Sequence, residues 1–168
     1  YKFQWVYAGI GLAALLVVWV AGNESFGAQL SLTVGGISIQ PSEFVKISFV
    51  FFVASMFYQS LDFKNICITT VVAALHVVIL VLSKDLGSAL IFFISYVIML
   101  FIATGNWLYL IAAGVLGKGA TSIAYTLFDH VRRRFTAWKN PWADIDNTGY
   151  QITQSLFAIG TGGWFGMG

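Results

Sequence analysis

Apolar residues fall into five long runs, and polar residues lie almost entirely between them. The runs cover 5–21, 43–58, 66–82, 89–104 and 108–125. Each is about 16–18 residues, near the lower limit for a helix that crosses a hydrocarbon core of about 30 Å. None alternates apolar and polar positions as a barrel strand does, and all are too long and uniform for ordinary strands. The pattern predicts an all-α integral membrane protein with about five transmembrane helices.

The connections differ in character. Residues 23–40 form a long polar loop with Gly35-Gly36 as a turn, and Pro41 suits the first turn of the next helix. Residues 58–65 are a short link carrying Asp62 and Lys64, 83–88 (SKDLGS) a tight re-entry, and Gly105-Asn106 a minimal hairpin turn. The chain thus divides into a transmembrane helical block, 1–125, and a polar segment, 126–168. Five crossings place the two termini on opposite sides.

Composition sharpens this picture. The chain is 58% hydrophobic and 10% charged, far short of the roughly 25% charge that coats a soluble domain. Lys2 precedes the first run without a small-residue cleavage site after it, so no signal peptide is expected. The lone Cys67 excludes an internal disulfide. Charge position also poses a conflict. One side would hold Lys2 and Lys64, the other Lys84, Lys139 and Arg132, Arg133 and Arg134, and the positive-inside rule alone puts the second group in the cytoplasm.

Three polar residues interrupt the spans. A lysine at mid-helix costs about 2.5–3.5 kcal/mol on insertion scales, so each needs a reason. Lys46 has Glu43 at i,i+3 on the same helical face, which makes either a packing ion pair or the polar wall of an internal cavity. His76 reads as a buried, hydrogen-bonded side chain rather than a ligand. Lys118 sits among Gly114, Gly117 and Gly119, which predicts an irregular or water-open turn. Asp85, before Gly87, is placed to cap the next helix, a role compatible with facing a cavity.

Residues 132–168 gather the remaining chemistry. Three arginines and Lys139 interleave with Phe135, Trp138 and Trp142, as either an interfacial anchor or a clamp for a phosphate-bearing lipid. The cluster is short and tied to membrane helices, which argues for membrane lipids and against nucleic acid. Asp144, Asp146 and Gly149 (DIDNTG) resemble the start of a calcium loop, but Ser155 stands where that loop needs a bidentate glutamate. No cofactor or metal site follows from these residues, and loose binding of a divalent cation stays open. Residues 150–159 predict a short amphipathic helix, with Gln151, Gln154 and Ser155 on one side and Ile152, Leu156 and Ile159 on another. Gly160, Gly162, Gly163, Gly166 and Gly168 offer exposed N–H groups to a phosphate, or simply a flexible connection.

Three of these pieces, taken in order, carry a resemblance: GGISIQPSEFVK (35–46), KDLGSALIFF (84–93) and NPWADIDNTGYQITQSLFAIGTGGWFGMG (140–168). The chain resembles the SEDS family of FtsW, RodA and SpoVE. The resemblance implies part of a larger helical bundle in the bacterial cytoplasmic membrane that polymerises peptidoglycan from lipid II, by inverting transfer from a polyprenyl-pyrophosphate-linked sugar. It also implies work beside a class B penicillin-binding protein in division, elongation or sporulation. Residues 126–168 become an extracytoplasmic loop segment, against the positive-inside count. Gln40, Pro41, Ser42, Glu43 and Lys46 match the border of the family's central cavity, and Asp85 and Ser88 its DLGS-like motif. Arg133, Arg134, Trp142, Asp144, Tyr150, Gln151, Gln154, Ser155, Gly160, Gly162 and Gly163 are the candidate substrate contacts in the tail. The family's essential aspartate lies past the glycine cluster, so the catalytic residue is expected beyond Gly168 and the chain alone is expected to be inactive. A lipid-linked precursor transporter and a non-enzymatic truncated membrane fragment are the alternatives.

Overall fold

The computed structural model describes residues 3–21, 23–25, 28–34, 37–164 and 166, with backbone alone for 23–25, 28–34, 37 and 38. Lys2, Gly22, the Gly35-Gly36 turn and Gly168 lie outside the described residues. Among the described residues, five helices are long and apolar enough to cross a membrane: α1 (Gln4–Ala21), α2 (Pro41–Gln59), α3 (Phe63–Leu82), α4 (Leu86–Thr104) and α5 (Trp107–Leu127). They meet the expected spans closely, each extended by a few polar or interfacial residues. The loop between α1 and α2 carries three short antiparallel strands, β1 (Asn23–Ser25), β2 (Ala28–Val34) and β3 (Ile37–Ile39), in the order β1-β2-β3. Leu32 pairs with Ile39 and Val34 with Ile37. The loop expected over 23–40 thus holds strands, and β2 (AQLSLTV) carries the signal for one, a strict alternation of apolar and polar positions.

The chain divides into two compact units, Tyr1–Leu116 and Gly117–Gly168. In the first, α1–α4 pack through faces spaced three and four residues apart. Ala8, Gly11, Leu15 and Val18 face inward from α1, and Ala73, His76, Ile79 and Leu80 from α3. Phe49, Phe52 and Phe92 fill the centre, with Phe49 and Phe92 ring centroids 4.8 Å apart. Lipid is as apolar as these side chains, so helix association there rests on close packing and interhelical hydrogen bonds rather than on escape from water. Both are present. Ala8, Ala73 and Ala89 are buried, Gln4 Nε2 donates to Gln59 Oε1 at 2.8 Å, Ser48 Oγ donates to Tyr7 O at 2.8 Å, and the Thr70 and Tyr96 hydroxyls lie 2.6 Å apart. The outward faces carry exposed Val17, Val20, Ile47, Phe51, Val71, Leu90 and Ile98, the inside-out distribution a bilayer requires.

The turns are built from local polar contacts. Asn65 Nδ2 reaches Met56 O at 2.7 Å and Ser60 O at 2.6 Å, locking the α2–α3 link. Gly105 closes α4 in the left-handed region (φ 63°), where only glycine is at ease, and Asn106 Oδ1 accepts from Leu108 N to start α5. The α5 helix is continuous through Gly114, Gly117 and Gly119, so the expected irregular turn at Lys118 is absent. Three glycines weaken a helix but do not break it when the surrounding residues keep their backbone hydrogen bonds.

The second unit contains α6 (Asp129–Lys139), a 3₁₀ turn (Pro141–Asp144) and α7 (Tyr150–Gly162). The arginine-rich stretch, read from sequence as loop, is therefore helical. The predicted 150–159 helix is present and runs on through Gly160 and Gly162, placing two glycines of the cluster inside a helix; Gly163 (φ 53°) ends it.

Candidate functional site

The charged pair on α2 forms as its spacing requires, with Lys46 Nζ 2.7 Å from Glu43 Oε2. Pro41 is the first helical residue and needs no N–H there, while Gln40 O accepts from Glu43 N at 3.2 Å. Glu43 therefore lies in the positive first turn of α2, and the pair sits near the helix mouth rather than at mid-membrane. Glu43 is exposed and Lys46 half-buried, so the pair borders the bundle surface. Ser42 beside it is buried, and its hydroxyl has no partner among the described residues.

Asp85 caps α4. Its Oδ1 accepts from Ser88 N at 3.0 Å, and Ser88 is buried against the bundle. Because α2, α3 and α4 follow one another through short turns, the starts of α2 and α4 lie at the same end of the first unit. The contact between Phe49 and Phe92, each about two turns into its helix, agrees. The topology thus gathers Gln40–Lys46 and Asp85–Ser88 at one end, although no hydrogen bond or ion pair joins the two groups among the described residues.

His76 is fully buried at the bundle centre. Its Nδ1 lies 2.8 Å from Val72 O, an acceptor, so that nitrogen carries a proton; Nε2 has no partner among the described residues. Phe49 meets the ring edge-on at 5.2 Å. Gly11 leaves the space for it, since a Cβ there would stand 3.0 Å from Nε2 and 3.2 Å from a Val45 methyl. The structure makes His76 a packed core residue, as the sequence reading had it.

In the second unit, α6 separates the three arginines by about 100° per residue. Arg132 Nη2 is 3.6 Å from Asp129 Oδ1 and 3.3 Å from Thr126 O. Arg134 Nη1 donates to Gln151 Oε1 at 3.0 Å, tying α6 to α7. Arg133 makes no ion pair or hydrogen bond among the described residues. With Asp129, Arg132, Thr136 and Thr148 it lines a surface depression of about 290 Å³. Asp129, Thr136 and Thr148 were not singled out as site residues; the i,i+3 spacing of Asp129 and Arg132 and the one-turn spacing of Thr136 were the available signals.

Asp144 is committed to its own loop. Asn147 Nδ2 donates to Oδ1 at 3.0 Å, and Thr148 N and Oγ1 donate to Oδ2 at 3.2 and 3.0 Å. These donors, Asn147 first, hold its carboxyl below the usual carboxylate range. The loop closes on Gly149, where a Cβ would collide with Pro141 O and stand 2.9 Å from Asp144 O. Trp142 is half-exposed and meets Phe157 edge-on at 5.7 Å. Tyr150, Gln151, Gln154, Ser155 and Gly160 are exposed along α7, and Thr153 is its one buried residue. Among the described residues the arrangement offers an anion the Arg133 guanidinium and an Arg132 guanidinium shared with a carboxylate; the Thr136 and Thr148 hydroxyls donate to Arg132 O and Asp144 Oδ2.

Comparison with known proteins agrees with this architecture. The family model for cell cycle proteins of the FtsW, RodA and SpoVE type matches residues 2–168. The peptidoglycan glycosyltransferase RodA of Mycobacterium tuberculosis is 32% identical over 180 residues, covering 94% of this chain and 38% of that protein. The probable peptidoglycan glycosyltransferase FtsW of Aliivibrio salmonicida is 34% identical over 165 residues, covering 95% and 41%. A solved structure of a peptidoglycan synthase complex, concerned with the coordination of polymerization and crosslinking, superposes with a TM-score of 0.72 at 25% identity, over 98% of this chain and 50% of that one. The chain spans about two fifths of the length of these curated relatives. It is a multi-pass membrane chain that belongs to the FtsW, RodA and SpoVE family of cell cycle proteins.

Proposed function

We propose that this segment is part of a peptidoglycan glycan-strand polymerase of the bacterial cytoplasmic membrane, and that the α6 depression holds the pyrophosphate of a lipid-linked donor such as lipid II. The observation that carries this is Arg133, which makes no ion pair or hydrogen bond among the described residues, beside Arg132 in the same depression. Guanidinium pairs with phosphate oxygens through two parallel N–H groups, while the Thr136 and Thr148 hydroxyl protons are given to Arg132 O and Asp144 Oδ2. Five crossings carry residues 126–168 to the membrane face opposite the one from which the first span starts. That face is taken as extracytoplasmic. Positive charge retained there against the usual bias is accounted for by an anion that it binds.

In the reaction, an acceptor sugar hydroxyl attacks the anomeric carbon of the donor. The new C–O bond forms as the bond to pyrophosphate breaks, with inversion; the hydroxyl proton passes to a carboxylate and polyprenyl pyrophosphate departs. Arg132 and Arg133 stabilise the charge that develops on the departing group. Asp144 is not assigned the base, because both its oxygens are occupied in the loop. A class B penicillin-binding protein is the expected partner of the whole enzyme.

The test uses the full-length protein with that partner and lipid II. Arg133→Gln is expected to cut polymerisation about 10- to 100-fold, the worth of a charge-assisted hydrogen bond of about 1.5–3 kcal/mol, while precursor flipping in vesicles is unchanged. Unchanged polymerisation contradicts the proposal, and loss of flipping alone would favour a transporter.

A further inference from the structure

We infer that the Lys118 face of α5 is a docking surface for another membrane-spanning helix of the full family-length protein, one that carries an aspartate or glutamate at its own mid-depth. Lys118 is far from both ends of α5, about 16 Å from Trp107 and about 14 Å from Leu127. With half the hydrocarbon core about 15 Å thick, it is too deep to reach either interface freely. An uncompensated ammonium at that depth is costly, and such residues in membranes pair with opposite charge or line a polar path. Among the described residues, however, Lys118 makes no ion pair or side-chain hydrogen bond, it is exposed, and α5 has no buried residue at all.

The face is shaped for a helix. Gly114, one turn before Lys118, would meet nothing within 4 Å with a Cβ added, and the same holds for the adjacent Gly119. Small residues let a second backbone approach closely, and Ser122, one turn later, extends the polar ridge. Tyr109, which packs on the α1–α4 core, is nine positions earlier and so on the opposite side of the helix; Trp107, on the Lys118 side, meets Phe101 of α4 at 4.8 Å only at the helix start, about 16 Å from Lys118.

Charge position selects the occupant. The acidic residues are Glu24, Glu43, Asp62, Asp85, Asp129, Asp144 and Asp146, and every one lies at a helix end or between spans. A second copy of this segment has no carboxylate at the depth of Lys118, and a two-fold pairing of the same face would oppose lysine to lysine. The curated relatives, by contrast, are more than twice as long as the matched region. A helix from elsewhere in the same polypeptide is therefore the occupant.

The experiment uses the full-length protein in native membranes and reads protein level and cross-linking, so it is independent of the reaction proposed above. Lys118→Glu is expected to lower the membrane level at least several-fold, and changing one mid-span Asp or Glu outside 1–168 to Lys is expected to restore it. In a Cys67→Ser background, Gly114→Cys paired with a cysteine beside that acid should cross-link within one polypeptide, even where the charge variant fails to accumulate. Tolerance of Lys118→Glu, rescue only from a separate protein, or cross-links only between chains would overturn the inference.

Discussion

The two units hold their shape by different means. The α1–α4 bundle buries Phe49, Phe52, Phe92 and His76 almost completely, on faces that four helices share. Among the described residues the second unit buries little: Val131 and Ala137 on α6, Gly149 before α7 and Thr153 on it. Its order comes from short-range polar contacts, namely the Asp144 loop, the Arg134–Gln151 bridge and the tight fit at Gly149. Close packing fixes the helices of the bundle against one another, while the lightly buried, polar second unit leaves its charges exposed. Perturbing one unit should therefore leave the other's local structure intact.

The largest expected effect is in the bundle. Phe92→Ala removes a ring packed against Phe49 and His76. In lipid the transfer part of the cost largely cancels and the lost packing remains, so about 2–3 kcal/mol is expected, read as a lower midpoint of steric-trapping or denaturant unfolding. The Asn147 and Thr148 amide signals should not move. Gly149→Ala is the reciprocal break. Two carbonyls must give way, about 1–3 kcal/mol is expected, and the Asn147 and Thr148 resonances should shift while the bundle's unfolding midpoint holds. Asp85→Ala removes the α4 cap at a cost of about 1 kcal/mol, visible as faster amide exchange at Ser88.

The smallest effect is acid dependence. The Asp144 carboxyl is held low by Asn147 and Thr148, so its contribution is present above the ordinary carboxylate value and is lost as pH falls through the lowered folded value. Acid titration should release the Thr148 amide below the usual aspartate range, and Asp144→Asn should abolish that transition. An unshifted titration would show that the loop contacts do not form in solution.

Much of this comparison was legible in the residues. Long apolar runs located all five spans because a bilayer demands them, and i,i+3 spacing alone paired Glu43 with Lys46. Asp85 two residues before glycine gave the cap. The second unit was harder to read. Its α6 is short and mostly polar, so an arginine triplet looked like one clamp on a loop until helical geometry pointed Arg132, Arg133 and Arg134 in three directions. Gly160 and Gly162 read as exposed N–H groups or a flexible connection, yet the helix runs through them. Asp144 looked available for substrate because nothing in the sequence shows that Asn147 and Thr148 take up its oxygens.

Sidedness is the central claim, because the proposed function requires residues 126–168 to lie outside the cytoplasm. Thr148→Cys, in the full-length protein with Cys67→Ser, can be labelled in intact cells stripped of their outer barriers with a membrane-impermeant thiol reagent. The account predicts prompt labelling from outside, slowed by a polyprenyl pyrophosphate that occupies the α6 depression. Labelling only after the cytoplasmic face is opened would contradict it.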